Sequence, residues 1–263
     1  MSAIGHDGVN VMPSICNIFG FILIAMLCLE SDCIRIKSGT VRIAVDTPGR
    51  WCAAHSVRDA EREPFMAVDL RELTENLLRF YDFRDKVVLF VGAGGRQLLD
   101  PSAGTRKLIA IDQDEEALNQ LKSNIAEKEW QDCMEVIASN FDDVTLSADV
   151  VYFEFCLHEM DDPHKSLTHA RTLAPDTVVY DHSPGSEWIF YGAEEDNVRD
   201  SAAAMQSFGI RRRQAFHAEQ RFRDHAELLA RIAGQGDLAI QRIQHLAGAA
   251  DIAIPMDYEV VLL

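Results

Sequence analysis

The stretch KVVLFVGAGGR, residues 86–96, decides how this chain is read. Val87 to Val91 are apolar and mostly β-branched or aromatic, the composition of a strand covered on both faces. The run breaks into Gly92, Ala93, Gly94 and Gly95, where the missing Cβ atoms let the backbone turn tightly and approach a ligand closely. A second apolar run, residues 107–111, ends in Asp112, 20 residues beyond Gly92. A strand, a glycine turn and a second strand tipped by a carboxylate make a nucleotide-binding half-fold, with the carboxylate on the two ribose hydroxyls.

These residues resemble motif I and the acidic strand-2 tip of class I S-adenosylmethionine-dependent methyltransferases, and the likeness runs from about residue 69 to residue 263. The resemblance implies an α/β fold: a doubly wound, mostly parallel seven-stranded sheet with an antiparallel C-terminal strand pair. It implies S-adenosyl-L-methionine as cofactor and a small-molecule methyl acceptor. Its cofactor contacts carry over to Gly92, Ala93, Gly94, Gly95, Asp112 and Gln113, with Asn140 (or Asp142, if the loop is shifted) and Phe141 at the adenine and Glu154 at the end of strand 4. Two positions depart from the family. Phe90 stands where an acid is usual, two residues before the first glycine, and Arg96 replaces the third glycine of the turn.

The rest of residues 66–263 alternates between helix and strand signals, as a doubly wound sheet requires. Residues 69–80 place leucines at helical spacing behind Asp69, a natural N-cap. Asp100-Pro101 cuts the first crossover short. Residues 114–130 carry Leu118, Leu121 and Ile125 on one face, with acids in the first turn where the helix dipole favours them. Residues 134–138, 149–155 and 177–181 read as strands 3, 4 and 5, and a helix runs from Pro163 to Leu173. The span from about 189 to 226 reads as a polar, partly helical insertion, followed by a helix at 225–232. Residues 238–246 and 256–263 read as the closing strands.

Chemistry in such a sheet sits at the carboxyl ends of the strands. After strands 4 and 5 the sequence offers His158, Glu159 and His182 as catalytic candidates, with Glu154 and Asp161 beside them. Trp188, Phe190 and Tyr191 are the residues from which an aromatic acceptor wall could be built. No Cys or His spacing of a metal site is present, and Asp161-Asp162 is the one pair that leaves an opening for a cation.

Composition narrows the partners. Across 263 residues, 42 acidic side chains stand against 25 basic ones, a net charge of −17. That surface repels phosphate backbones, so no nucleic-acid substrate is expected. Neither the Asn/Asp-Pro-Pro motif of nucleic-acid amino methyltransferases nor the Pro-Cys nucleophile of cytosine-C5 enzymes occurs. Isolated Cys133 and Cys156 read as small buried apolar residues of a reducing, cytoplasmic protein.

Residues 1–65 differ in kind. They carry 7 acidic and 6 basic residues, four of the six cysteines, and no clear amphipathic period. The apolar run at 15–29 is shorter than the roughly 20 residues of a spanning helix, so a membrane anchor is not expected. The segment reads as an extension ahead of a functional start at Met66. Two other functions use the same residues: a nicotinamide-dependent oxidoreductase, disfavoured by Gln97 where a third glycine or alanine belongs, and a protein that binds the sulfonium cofactor without turning it over. Transfer of the cofactor's aminoalkyl arm is a chemical neighbour of the main reading.

Overall fold

The computed structural model describes residues 68–94 and 98–263. The extension at 1–65, and Gly95, Arg96 and Gln97 of the glycine turn, lie outside the described residues. The chain enters through helix α1 (Leu70–Phe80), capped by Asp69, whose carboxylate accepts from the backbone nitrogens of Arg71 at 2.9 Å and Glu72 at 3.4 Å. Leu73, Leu77 and Phe80 turn inward at i, i+4 and i+7, one stripe of a 3.6-residue helix.

Strands β1 (Val87–Val91), β2 (Lys107–Asp112), β3 (Met134–Ala138), β4 (Val150–Glu154) and β5 (Asp176–His182) pair in parallel. Helix α2 (Glu115–Glu127) crosses from β2 to β3, and α3 (Pro163–Leu173) from β4 to β5. After β5 come α4 (Glu187–Gly192), α5 (Glu195–Ser207), β6 (Arg212–Asp224), α6 (His225–Ile232), α7 (Asp237–Ile243) and β7 (Ala250–Leu262). The seven strands lie in the order β3-β2-β1-β4-β5-β7-β6, with β7 antiparallel to both neighbours. This is the expected doubly wound sheet with its antiparallel pair.

Alternate strand residues feed two cores. Val88, Phe90, Tyr152 and Tyr180 pack on one face under α1, α2, α4, α6 and α7. Leu89, Val91, Phe153 and Val179 pack on the other under α3 and α5. Strands covered on both sides need apolar residues on both, and β1 and β4 read that way.

Two expectations about the closing strands fail. Residues 238–246 are not a strand. They form α7 and a 3₁₀ turn, Gln244–Leu246, with Ala239 and Ile243 buried four residues apart while Leu238 is 51% exposed. The partner of β7 is instead β6, which lies inside the span expected to be a polar insertion, so only that span's helical part, up to Ser207, stands outside the sheet. Strand β6 is an edge strand whose inner face, Phe216, Ala218, Gln220 and Phe222, alternates with His217, Glu219, Arg221 and Arg223. Charge of that kind protects a free edge from further pairing and masks the apolar alternation. The first crossover is short as expected, holding one 3₁₀ turn, Pro101–Ala103, among the described residues.

Gly92 is fixed by packing. Its φ is +77°, and a Cβ there would meet Cys156 Cβ and Sγ at 2.6 Å. The Cys156 thiol, buried, donates to the Val91 carbonyl at 3.3 Å and ties the β4 end to the turn. Cys133 is half-buried, not fully buried as expected. Among the described residues no helix is long and apolar enough to cross a membrane.

Gly92→Ala should cost about 2–4 kcal/mol of folding stability, from overpacking and a left-handed backbone. Denaturant titration of Gly92→Ala, Cys156→Gly and the double variant should give a coupling of about 1 kcal/mol or more, since the glycine removes both clashing atoms; additive losses would show that the two residues do not clash.

Candidate functional site

The parallel register places Asp112 beside Gly92: Val91 pairs with Ile111, and Gly92 donates its N–H to the Ile111 carbonyl at 3.1 Å. Gly94 donates back to Gly92 O at 2.8 Å, closing the turn at the β1 tip. Asp112 is 7% exposed. Its Oδ1 accepts from the Asp114 backbone at 2.9 Å, while Oδ2 is buried without a partner among the described residues. Burial pushes this carboxyl up. An unpaired buried acceptor is costly unless a ligand supplies the donor, and a ribose hydroxyl is a donor of the right kind. Gln113, next in sequence, is exposed.

Other expected cofactor contacts are placed differently. Phe141 is 4% exposed and packs in the core against Phe153 at 5.2 Å and His169 at 5.1 Å. Asn140 Oδ1 is occupied as the cap of the 3₁₀ turn Phe141–Asp143, accepting from Asp142 N at 2.9 Å. Glu154 faces the protein: the Leu98 backbone donates to both its oxygens, at 2.9 and 3.1 Å, and the Tyr152 hydroxyl at 2.8 Å. Burial pushes this carboxyl up to about 7 despite those donors. Its role is to hold the segment that follows the glycine turn. Phe90, in the family's acidic position, lies in the core 5.2 Å from Tyr152.

At the tips of β4 and β5 the fold assembles a buried polar cluster. Phe155, at φ 47°, ends β4 with its ring against Tyr180 at 4.8 Å and His182 at 4.9 Å. The next turn, Leu157–Glu159, points His158 at Asp181, the penultimate residue of β5. His158 Nδ1 lies 2.5 Å from Asp181 Oδ1, and the His158 backbone donates to Oδ2 at 3.1 Å. Asp181 is fully buried and also accepts from His182 N at 2.8 Å. An ionised carboxylate only accepts, so the proton of this short bond sits on Nδ1. Nε2 is left facing Glu194 Oε2 at 3.9 Å.

Electrostatics follow from burial. Desolvation pulls His158 down, but the Asp181 charge and hydrogen bond, with Glu194 and Glu159 nearby, outweigh it and hold the imidazole up at about 9. Asp181 resists burial through His158 and stays below the usual carboxylate range. His182 is driven down to about 3 by burial and the neighbouring His158 charge, and its Nδ1 is buried without a partner among the described residues. Burial pushes Glu194 up; its Oε1 accepts from Gln235 Nε2 at 2.8 Å.

Of the catalytic candidates, the fold brings His158, Glu159 and His182 together, whereas Asp161 is exposed on the surface. Asp162 caps α3 by accepting from Lys165 N at 2.9 Å. The aromatic wall does not form: Trp188 and Tyr191 are buried, Trp188 stacked on Phe222, while Phe190 is 46% exposed under Arg242. Sequence reading missed Asp181 and Glu194. The first had a usable signal, an acid one residue before a histidine at a strand end. The second had none, because Glu194 reaches the cluster from beyond α4. A groove of about 690 Å³, including Arg79, Lys86, Asp176 and Arg212, opens at the opposite ends of the strands, away from this chemistry.

Residues 89–180 match the family model described as a methyltransferase domain. No curated protein matches the chain by sequence. Among solved structures, the fold is similar to that of a Bacillus halodurans C-125 protein carrying a methyltransferase assignment: TM-score 0.55, 13% identity, 72% of this chain and 96% of that one. It is also similar to the YcgJ protein of Bacillus subtilis, with TM-score 0.55, 15% identity and coverage of 73% and 96%. At these identities the likeness is one of fold. Strand order, the antiparallel β7 and the matched segment agree: residues 89–180 are a methyltransferase domain, and the chain is an enzyme built on the class I methyltransferase fold.

Proposed function

We propose that the protein transfers a methyl group from S-adenosyl-L-methionine to a small organic acceptor held at the tips of β4 and β5. The observation that carries the cofactor half is the buried Oδ2 of Asp112 beside the Gly92 turn, unpartnered among the described residues. Asp112 would hold the cofactor by accepting from its ribose hydroxyls, and the β1 turn at Gly92 would receive its amino-acid part. Glu154 keeps the far side of the turn in place through Leu98. Bound there, the cofactor supplies an electrophilic methyl on a sulfonium, so the protein's task is alignment, worth on the order of 7–11 kcal/mol in well-oriented reactions.

The acceptor half is the His158–Asp181–Glu194 cluster with Glu159 and His182. Its position at the strand tips next to β1 supports this assignment, since ligands in open α/β sheets sit beyond the carboxyl ends of the strands. Asp181 fixes the ring of His158, and Gln235 fixes Glu194. The cluster orients the acceptor and handles the proton it loses. A net charge of −17 supports a small acceptor over a nucleic acid, and the cysteine usage supports a cytoplasmic setting.

S-adenosylhomocysteine should raise the melting temperature while NADH leaves it unchanged, because a ligand of the folded state stabilises it by RT ln(1 + [L]/Kd). Stabilisation by NADH alone would replace this reading with an oxidoreductase. Asp112→Ala should weaken S-adenosylhomocysteine binding by about 1–3 kcal/mol through the lost hydrogen bonds; an unchanged Kd by calorimetry removes Asp112 from the ribose.

His158→Gln should lower labelled-methyl incorporation into a metabolite extract by roughly 100-fold or more, with S-adenosylhomocysteine affinity within a few-fold of the parent. Full incorporation by the variant would return His158 to a structural role.

A further inference from the structure

The acceptor cluster has the make-up of a metal centre. His158, Glu159 and Glu194 each offer a ligand atom, and these atoms lie within 4.8 Å of one another. Metal–ligand bonds of about 2.0–2.2 Å set neighbouring ligands roughly 3–4 Å apart, so the 3.9 Å between His158 Nε2 and Glu194 Oε2 needs little adjustment. The three groups come from two separate places in the chain, the turn after β4 and the entry to α5. Two of them are deeply buried and the third, Glu159, is only half-buried, which leaves a side for entry.

The surroundings point the same way. A metal-ligating histidine commonly gives its other ring N–H to a carboxylate, which sets the tautomer and aims the free nitrogen. Asp181 does this for His158 Nδ1 at 2.5 Å, from a position that is itself fully buried. Gln235 likewise holds Glu194 Oε1, and a Cβ on Gly192 would meet both that carboxylate and Gln235 at 3.1–3.3 Å. The Nδ1 of His182 is buried and unpartnered among the described residues, with its ring 5.5 Å from that of His158. Three carboxylates (Glu159, Asp181 and Glu194) stand around one imidazole, and the guanidinium of Arg231, whose charge reaches Glu194 and His182, lies over the Trp188 ring. The two buried carboxylates, Asp181 and Glu194, share one imidazole whose proton offsets a single negative charge, and a metal ion that displaced the Nε2 proton would offset both.

We propose that His158, Glu159 and Glu194 bind one divalent transition-metal ion at the acceptor end of the crevice, with Asp181 and Gln235 as positioning residues. The assignment rests on the methyltransferase reading and deepens it. One nitrogen with two carboxylates suits an intermediate ion such as Mn²⁺ better than Ca²⁺ or Mg²⁺, which take oxygen ligands. An acceptor hydroxyl coordinated there is a stronger acid. Its proton goes to solvent, its oxygen forms the bond to the methyl carbon, and the carbon–sulfur bond breaks with its electron pair left on sulfur as the thioether.

The full chain, treated with chelator and dialysed, is titrated with Mn²⁺ and the free ion followed by electron paramagnetic resonance. One tight equivalent is expected. Glu194→Gln and His158→Gln should each weaken binding by about 100-fold or more, and Asp181→Asn, which removes no ligand, by about 10–100-fold. Asp112→Ala should leave Mn²⁺ affinity unchanged. Binding only at millimolar Mn²⁺, or equal affinity in the parent and the two ligand variants, overturns the site. S-adenosylhomocysteine titrated into the same samples reports folding. Its binding without Mn²⁺ binding defeats the metal site alone, and Mn²⁺ binding without it defeats the cofactor reading alone.

Discussion

A parallel sheet buried on both faces leaves polar side chains one place to go, its strand ends. Helices cover β1, β4 and β5 from either side, and every residue of β4 is buried. A carboxylate in mid-strand would lose its hydration with nothing to replace it. The acids therefore collect at the carboxyl tips: Asp112 on β2, Glu154 on β4, Asp181 on β5. Each keeps its charge affordable through donors that only the tip supplies, such as the next turn's backbone N–H groups or an imidazole. Asp112 alone of the three retains a buried oxygen with no donor among the described residues, which is why we propose the cofactor site there.

The same constraint accounts for the departure at Phe90. An acid at that point of β1 would face a core that contains Tyr152, and Phe90 fills that core instead. The neighbouring strand carries an acid at its tip, Glu154, and spends it on Tyr152 and on the backbone of the crossover. The turn is thereby held from the β4 side. Cys156 completes the arrangement by occupying the space a side chain at residue 92 would need. Gly92 thus answers to its left-handed φ and to Cys156, where the sequence suggested close approach of a ligand.

What could be read from the chain and what could not divide along contact distance in sequence. Helix α1 and its Asp69 cap, α2 behind Asp114, and β3 have local causes: spacing of leucines, capping carboxylates, runs of β-branched residues. Strand β6 hides its period because its surface half is charged, and α7 because Leu238, Ala239, Ile240 and Ile243 in so short a segment fit period 2 and period 3.6 about equally well. The tie is broken by β7, whose register runs from Leu262 opposite Arg212 to Ala250 opposite Asp224. Phe141 went astray for a similar reason: a bulky residue after β3 suits either a ligand or a core, and Phe153 and His169 claim it.

By itself the sequence determined the class of fold, the glycine turn and the carboxylate 20 residues on, because each is written in neighbouring residues and obeys backbone sterics and local hydrogen bonding. It also placed His158, Glu159 and His182 at strand ends. Only the tertiary structure decided that Asp181 aims His158, that Glu194 arrives opposite Nε2, and that Glu154 is consumed within the protein. Those outcomes depend on how α4 and α5 fold back over the tips of β4 and β5. That return is set by apolar packing of Trp188, Ile189 and Val198, and hydrophobic packing, being non-directional, leaves no residue spacing from which the meeting of distant polar groups can be read.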